Sequence, residues 1–420
     1  MKRSRTKKMR NINEKTLITT VDIGKVTNMG YCRCPDRSEV EPFEFFNTGR
    51  GFNKFYRCIQ KTMKIQHLEE VIVGFESTGP YGEPLTHYLR KRGINLVQVN
   101  PLHTKRLKEL QGNSPNKTDK KDPKVIADII ELGHALTLVV PEGIAAELRR
   151  LSQARERRTN MRTALWNQLQ DLVFLLFPEF SQVMKDVKTK SAQYLLKHYP
   201  TPEAIIECGL EVLTLTLRKI SRGKLRKERA EALYEAARSS VGIKEGQESI
   251  LLEISNILAF IEASNRIIAD IEGKMSSHLK QVPSSRFILS MKGIGEVTVA
   301  GLIGEVGDFS KFETISEITK LAGLDLYEVS SGKHKGKLRI SKRGRPLMRK
   351  LLFFAALNVV RKGGVMHERY QRYLKRGMLK MKALIAIARR LLGIIFALVR
   401  NHSEYEIGYQ KTQNKLNIAA

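Results

Sequence analysis

The chain of 420 residues has only four cysteines, at irregular spacing. The sequence shows neither the cysteine density of a disulfide framework nor the paired spacing of a zinc site. This pattern argues against a disulfide-stabilised secreted protein and against a zinc finger, and it indicates a reducing compartment. The four residues are Cys32, Cys34, Cys58 and Cys208.

The sequence also lacks an uninterrupted apolar run long enough for a transmembrane helix, which needs about 18 or more residues. The nearest candidate, residues 383–399 (ALIAIARRLLGIIFALV), carries Arg389 and Arg390 at its centre, which is typical of a buried helix. The basic start MKRSRTKKMR is not followed by the apolar stretch of about 7–15 residues that a secretory signal requires. We therefore expect a cytoplasmic protein without a membrane partner.

Acidic residues are scarce relative to basic ones. The chain has 43 Asp and Glu against 73 Lys and Arg, a net charge of +30. Such a surplus attracts polyanions, so nucleic acid is the leading partner class. The hydrophobic content of 42% permits well-packed cores, and the length predicts two or three domains at roughly 100–200 residues each.

The first 140 residues alternate between strand and helix patterns. Short β-branched or apolar runs predict strands at 16–24, 30–34, 43–46, 71–79 and 95–100. Helical spacing predicts helices over 52–65, 83–92 and 125–132. The predicted fold class is α/β plus all-α, in which residues 1–140 form an α/β domain with hairpin strands first and parallel strands later.

From Pro141 onward the pattern becomes helical, with two apolar seams that step by three or four residues. The first runs from Leu151 through Met161 to Leu176, and the second from Ile250 to Met275. The seams predict either a coiled coil or two core-facing helices of a bundle, and both alternatives stay open. Because apolar stripes must be buried, we expect a dimer or tetramer. The predicted boundaries are 141–280 for the helical coiled-coil region and 281–420 for a mainly helical C-terminal domain.

Basic segments mark candidate nucleic-acid contacts. Residues 330–350 (SSGKHKGKLRISKRGRPLMRK) contain nine Lys or Arg and no acid, with glycines that permit close backbone approach to a polyanion; a disordered linker is the alternative. Residues 218–229 (RKISRGKLRKER) either contact phosphates or form a solvated face. Lysines also crowd KTDKKDPK at 117–124. The candidate contacts are Lys117, Lys120, Lys121, Lys333, Lys335, Lys337, Arg339, Lys342, Arg343 and Arg345.

Four carboxylates stand where a metal site could be assembled. Asp22 and Glu76 end predicted strands, and Asp119 and Asp122 lie three residues apart just before or within a helix. Carboxylate-only clusters suit Mg²⁺ or Mn²⁺, which assist phosphodiester cleavage. The structural alternatives are a turn at Asp22, a solvent-facing strand end at Glu76 and an N-cap at Asp122, because Pro123 disfavours helical geometry before it. Together the four acids favour a metal site.

Several motifs resemble a known family. VDIGK, GFESTGPYGEPL, the NP of VNPLHTKRLK and KTDKKDPKVIADI resemble the N-terminal DEDD domain of transposases of the insertion-sequence 110 family. The segment MKGIGEVTVAGLIGEVGDFSKFETISEITKLAGLDLYEVSSG, residues 291–332, resembles that family's C-terminal transposase domain. The resemblance covers nearly the whole chain apart from the long helical middle.

The resemblance implies a RuvC-like, RNase H-type fold for the N-terminal domain. Asp22, Glu76, Asp119 and Asp122 then form the acidic tetrad that binds Mg²⁺. Pro123 stands where the family commonly has a small residue, which bears on the geometry of Asp122.

The resemblance also implies a serine nucleophile in the C-terminal domain, directly before a glycine in the loop after AGLDLYEV. Ser331 matches that place, and the adjacent Ser330 is the alternative. It further implies a noncoding bridge RNA that pairs with donor and target DNA, and an oligomer in which the serine of one subunit meets the acidic site of another. The implied activity is DNA cleavage and rejoining by a transposase.

Two other hypotheses remain. A metal-dependent nuclease or Holliday-junction resolvase would use the same acids with water as the nucleophile. A noncatalytic protein that binds RNA or DNA would use the acids only structurally.

Overall fold

The computed structural model describes residues 12–76, 79–111, 121–328, 336 and 338–406. The chain divides into two compact units, Met1–Val139 and Val140–Ala420. The division into three functional domains stays a prediction. Several predicted site residues lie outside the described ranges, namely Asp119, Ser330, Ser331, Lys117, Lys120, Lys333, Lys335 and Lys337.

A mixed six-stranded sheet organises the first unit. Its strands are β1 (Thr16–Asp22), β2 (Thr27–Arg33), β3 (Glu39–Phe46), β4 (Glu70–Glu76), β5 (Asn95–Val99) and β6 (Leu136–Thr137). Their order is β3-β2-β1-β4-β5-β6. The first three strands pair antiparallel, β1, β4 and β5 run parallel, and β6 is antiparallel to β5. The prediction of hairpin strands first and parallel strands later is confirmed, and the arrangement is consistent with a RuvC-like, RNase H-type fold.

Helices cover both faces of this sheet. They are α1 (Gly49–Ile65), α2 (Glu83–Arg90), α3 (Pro101–Gln111) and α4 (Lys121–Glu131). Because side chains alternate along a strand, neighbouring residues of β1 enter different cores. Leu17 packs in one cluster with Phe55 of α1 and Leu85 of α2. Ile18 packs in another with Ile126 of α4.

Two elements of the first unit were not predicted. The edge strand β6 has only two residues, too few for a periodic signal. Helix α3 begins at Pro101, where a proline is favoured at the first helical position. The side chain of Asn100 accepts a hydrogen bond from the backbone N–H of Leu102 at 2.9 Å. The Asn-Pro pair in VNPLHTKRLK therefore marks a helix start.

The second unit is dominated by two long helices, α5 (Gly143–Leu176) and α11 (Gln247–Leu279). They pack against each other, and side-chain hydrogen bonds between them show their relative direction. Arg155 Nε lies 2.6 Å from Glu272 Oε1, and Arg162 Nη1 lies 2.6 Å from Asn265 Oδ1. Because the partner number falls as the residue number rises, the two helices are antiparallel.

The predicted seams are buried within one chain. Ile254, Ile257 and Ile261 of α11 are each at most 3% exposed. The first seam was placed partly on the wrong face of α5, because Met161 is 54% exposed whereas Trp166, outside that seam, is buried. Since this contact is intramolecular, it gives no support for self-association, and the dimer or tetramer stays a prediction.

Short helices lie between α5 and α11 along the chain. They are α6 (Phe180–Val183), α7 (Lys190–His198), α8 (Pro202–Cys208), α9 (Leu210–Ile220) and α10 (Lys227–Arg238). Hydroxyl caps begin two of them: Thr189 accepts a hydrogen bond from Ala192 N, and Thr201 accepts one from Ala204 N. Their apolar faces join the hydrophobic core that contains the facing residues of α5 and α11.

The last part of the second unit is mainly helical. It contains α12 (Ser285–Leu289), α13 (Glu296–Val306), α14 (Ile315–Leu321), α15 (Pro346–Val359), α16 (His367–Lys375) and α17 (Lys380–Arg400), with a short hairpin of β7 (Leu326–Tyr327) and β8 (Arg339–Ile340). Ile387, Leu391 and Ile395 of α17 are fully buried, which confirms the predicted buried helix. Within the described ranges, no helix is long and apolar enough to cross a membrane.

Candidate active site

Two acidic residues end neighbouring parallel strands. Asp22 is the last residue of β1, and Glu76 is the last residue of β4. The strand register pairs Val21 with Phe75, so the next residues along each strand are Asp22 and Glu76. The carboxyl ends of parallel strands meet at one edge of a sheet, the usual place for a ligand site in an open α/β sheet. The sheet therefore brings these two acids together.

A hydrogen bond ties the start of α4 to the same strand. The hydroxyl of Thr20, buried two residues before Asp22, donates to the backbone carbonyl of Pro123 at 2.7 Å. Asp122 lies in the first turn of α4. The alternative of Asp122 as an N-cap is therefore wrong. Pro123 fits because the first turn of a helix tolerates a residue without an N–H.

The three described acids form one electrostatic group. Burial raises the pKa of Glu76 above its ordinary value, the charge of Lys108 lowers it, and the charges of Asp22 and Asp122 raise it. Like charges at short range disfavour ionisation, whereas a bound cation would relieve that cost. Asp22 and Asp122 therefore lie near enough to Glu76 to disfavour its ionisation.

Lys108 is the functional candidate that the sequence analysis missed. It lies on the unpredicted helix α3, and its Nζ is 2.6 Å from Asp122 Oδ1. The Asp122 side chain is only 16% exposed, so this ion pair is partly shielded from water. Only the Asn-Pro helix start could have indicated that VNPLHTKRLK places a lysine near the acids.

The donor chemistry of this edge suits a hard divalent cation, because each described acid supplies only carboxylate oxygens. Among the described residues, no three His, Cys, Asp or Glu side chains are grouped closely enough to hold a metal ion. Asp119, the fourth predicted ligand, lies outside the described ranges, and Asp122 is held by Lys108. The metal site therefore stays a prediction.

Of the ten predicted nucleic-acid residues, the five that the structure describes fall into two groups. Lys121, Arg339, Lys342 and Arg343 are exposed, as a phosphate contact requires. Arg345 differs, because it forms an ion pair with the buried carboxylate of Glu305 at 3.7 Å and also donates to the Glu305 carbonyl.

Burial lowers the pKa of Arg345 to about 10, and the charge of Arg149 contributes to that shift. Since its charge is committed inside the protein, we leave Arg345 out of the proposed nucleic-acid surface.

The short hairpin frames the segment that contains the predicted nucleophile. β7 pairs antiparallel with β8, so Tyr327 faces Arg339 across the hairpin. Arg349 Nη1 donates to the carbonyl of Ala322 at 3.0 Å, which ties α15 to the chain just before β7. The two described ends of this segment therefore lie side by side, and α15 is hydrogen-bonded to the chain next to them.

Comparison with known proteins identifies two family models. The model of IS110-type DEDD transposases, described as a transposase, matches residues 20–178. The model described as the transposase IS116/IS110/IS902 family matches residues 285–371. The first match contains Asp22, Glu76 and Asp122, which we call the acidic edge, and the second contains the short hairpin. Neither match includes residues 179–284.

Curated relatives agree with these matches. The chain is 26% identical over 336 residues to an uncharacterized 44.8 kDa protein of insertion element IS116 from Streptomyces clavuligerus, covering 79% of this chain and 83% of that protein. It is 26% identical to an uncharacterized 42 kDa protein of IS900 from Mycobacterium paratuberculosis, covering 69% and 73%. It is 29% identical to the transposase for IS1111A of Coxiella burnetii, over 36% of this chain and 42% of that one. With both family models matched in order, the chain belongs to the IS116/IS110/IS902 family of transposases.

Proposed function

We propose that this transposase cleaves and rejoins DNA strands through a serine nucleophile, Ser331, with a divalent cation, Mg²⁺ or Mn²⁺, held by Asp22, Glu76, Asp119 and Asp122. The observation that carries the proposal is that Asp22 and Glu76 end neighbouring parallel strands in register, with Asp122 in the first turn of the helix that Thr20 ties to β1. An acidic cluster of this kind is costly in a protein unless it binds a cation. Donor and target DNA are the proposed substrates.

The acidic edge would act on the phosphate. A bound divalent cation supplies positive charge that stabilises the phosphate oxygens as the strand breaks. The hydrogen bond between Thr20 and the Pro123 carbonyl holds α4 against β1, so Asp122 keeps its position relative to Asp22. Lys108 neutralises Asp122 in the structure, and we propose that its ammonium contacts a nonbridging phosphate oxygen when DNA is bound.

The serine would form the covalent link. Its Oγ attacks phosphorus, the bond from phosphorus to the 3′ oxygen of the neighbouring nucleotide breaks, and the hydroxyl proton ends on that 3′ oxygen. The 5′-phosphoserine product retains the phosphodiester bond energy, so attack by another 3′ hydroxyl reseals a strand without a high-energy cofactor. A free serine hydroxyl is a poor nucleophile. His334, three residues further on, and the neighbouring lysines are the candidate proton acceptors.

Guidance and assembly complete the proposal. We propose that a noncoding bridge RNA pairs with donor and target DNA, and that the serine of one subunit meets the acidic edge of another in a dimer or tetramer. The net charge of +30 supports simultaneous binding of two nucleic acids, because each contributes many phosphates to be neutralised.

Covalent capture tests the serine. The full-length protein is mixed with end-labelled DNA that contains an element end, together with the element's RNA and Mg²⁺, and is then denatured and run on a gel. A labelled protein–DNA adduct is expected for the unaltered chain and for Ser330→Ala, and none for Ser331→Ala or with a chelator. Asp22→Asn should also abolish it, whereas Asp36→Asn, in an exposed turn, is the matched control. An adduct that persists in Ser331→Ala and in chelator overturns the proposal.

The same gel separates the second candidate, a metal-dependent nuclease or Holliday-junction resolvase. The observation that favours it is that Asp22, Glu76 and Asp122, the described acids of the candidate site, all lie in the first unit, whereas Ser331 belongs to the second. It predicts free DNA ends, no adduct, and unchanged cleavage in Ser331→Ala. Cleavage that survives Asp22→Asn and Glu76→Gln would instead indicate a noncatalytic role for the acids.

A further inference from the structure

A cluster of cations lies on the turn between α9 and α10. We call residues 218–229 the basic turn. They include seven Lys or Arg, one acid and no aromatic residue. The exposed cations are Arg218, Lys219, Arg222, Lys224, Arg226 and Lys227. The basic turn lies in the part of the chain that neither family model matches, so the family assignment gives it no role.

Hydrogen bonds within the basic turn hold its backbone in one conformation. Gly223 N donates to the carbonyl of Arg218 at 2.8 Å, and Leu225 N donates to the hydroxyl of Ser221 at 2.8 Å. Arg222 has φ of 54°, in the left-handed region that costs energy for residues other than glycine. The backbone therefore presents its cations from a defined conformation.

Two cations of the turn have structural partners. Arg229 Nη1 donates to the carbonyl of Val183 at 2.7 Å, and Lys227 Nζ lies 3.3 Å from Glu231. Within the described part of the chain, none of the other five exposed cations forms an ion pair with an acidic side chain. Internal charge pairing thus does not explain them.

The helix dipoles explain only part of the cluster. Arg218 and Lys219 lie in the last turn of α9, where cations are favourable. Lys224 and Arg226 precede the first turn of α10, where the positive end of the dipole makes cations unfavourable. These two residues line a surface hollow together with Leu225 and Glu228. Their local cost is offset if an anion binds there.

We infer that the basic turn binds the phosphate backbone of duplex DNA outside the region cleaved. DNA is the partner because it is the substrate of the family to which the chain belongs. The absence of aromatic residues from the turn argues against a single strand held by base stacking and favours backbone contact. The contact is electrostatic and independent of base sequence. It does not depend on the serine chemistry.

The test is the salt dependence of binding. Affinity of the full-length protein for a short duplex DNA of arbitrary sequence is measured over a range of KCl concentrations without divalent cation, so cleavage plays no part. The test variant is Arg222→Gln with Lys224→Gln. The control is Arg238→Gln with Lys244→Gln, which removes the same charge from cations that already pair with Glu235 and Glu203.

Each phosphate contact adds about 0.9 to the slope of log affinity against log salt. If Arg222 and Lys224 each neutralise one phosphate, the slope should fall by about 1.8 and affinity near 0.15 M salt by about 30-fold. The control should change by about twofold or less, since paired surface cations contribute little. Lys224→Arg, which keeps the charge, should retain the original slope.

Two results overturn the inference. Equal slopes for the test and control variants would show that only total charge matters. A reduced slope with duplex RNA but not with duplex DNA would show that RNA is the partner. Because the altered residues are exposed, melting followed by circular dichroism should show unchanged folding in every variant. Loss of the serine adduct in the covalent assay leaves this binding result unaffected, so the two proposals fail separately.

Discussion

The unit Met1–Val139 places three carboxylates at the ends of β1 and β4 and in the first turn of α4, whereas the unit Val140–Ala420 fills its α5–α11 contact with isoleucine and leucine. In the first unit, burial and like charge work against the ionised form of Glu76, which costs stability. In the second, apolar burial along two long helices contributes stability. The comparison teaches that burial of a carboxylate lowers the stability of the sheet unit, whereas burial of apolar side chains raises that of the helical unit.

The largest expected effect tests the scaffold role of the helical unit. Ile261→Ala should lower the free energy of unfolding by about 2–5 kcal/mol, because Ile261 is 1% exposed and its removal leaves a cavity. The neighbouring Phe260 is 62% exposed, so Phe260→Ala should change it by about 0.5 kcal/mol or less. Denaturant titration measures both. Similar values for the two variants would show that the α5–α11 contact is not a stabilising core.

A second prediction sharpens the comparison within the helical unit by using one substitution at two glycines. A Cβ at Gly304 of α13 would lie 2.6 Å from the backbone N of Arg149 in α5, whereas one at Gly273 of α11 would meet nothing within 4 Å. Gly304→Ala should therefore destabilise the unit by about 1–3 kcal/mol. Gly273→Ala should stabilise it by about 1 kcal/mol, because alanine is the better helix former. Thermal melts that shift in the same direction would contradict the close approach of α13 to α5.

A third prediction concerns the cost of the acidic edge. The folded pKa of Glu76 is raised, so its ionisation favours the unfolded state, and stability is lost as pH rises from the ordinary glutamate pKa through the folded value. Glu76→Gln should therefore raise the melting temperature above that window and have little effect below it. Glu44→Gln, at an exposed strand position, is the matched control. Melting is followed without divalent cation. A lower melting temperature for Glu76→Gln than for the unaltered chain at neutral pH would contradict the prediction.

The smallest effect concerns two thiols away from the acidic edge. A hydrogen bond from Cys32 lowers the pKa of Cys58 to about 7. The Cys208→Ser background leaves three cysteines. Cys32 and Cys34 are buried, whereas Cys58 is partly exposed and can react. Its alkylation rate should rise with a midpoint near pH 7, and Cys32→Ala should move the midpoint up toward the usual value near 8.5. An unchanged midpoint would show that Cys32 does not lower the pKa of Cys58.

Short-range patterns in the sequence predicted the elements that depend on local burial. The strands of β1, β4 and β5 and the buried helix α17 follow from apolar runs and their flanking residues. Asp22 and Glu76 could be placed at strand ends for the same reason. The family resemblance through VDIGK and KTDKKDPKVIADI is supported by the family match over residues 20–178.

Features that depend on long-range contact could not be predicted. Lys108 reaches Asp122 only because α3 and α4 pack together, and no local pattern encodes that distance. The basic composition of residues 330–350 predicts exposed side chains, yet Arg345 forms an ion pair with the buried Glu305. The seam of α5 was misplaced at Met161 because apolar spacing alone does not show which face of α5 packs against α11.

Manganese binding tests the central claim, that the carboxylates at the end of the sheet hold a divalent cation. Electron paramagnetic resonance of Mn²⁺ titrated into the full-length protein, without nucleic acid, counts bound ions directly. Binding is predicted for the unaltered chain, for Ser331→Ala and for Asp36→Asn, and is predicted to be lost in Asp22→Asn and Glu76→Gln. Undiminished Mn²⁺ binding in Asp22→Asn and Glu76→Gln would contradict the claim.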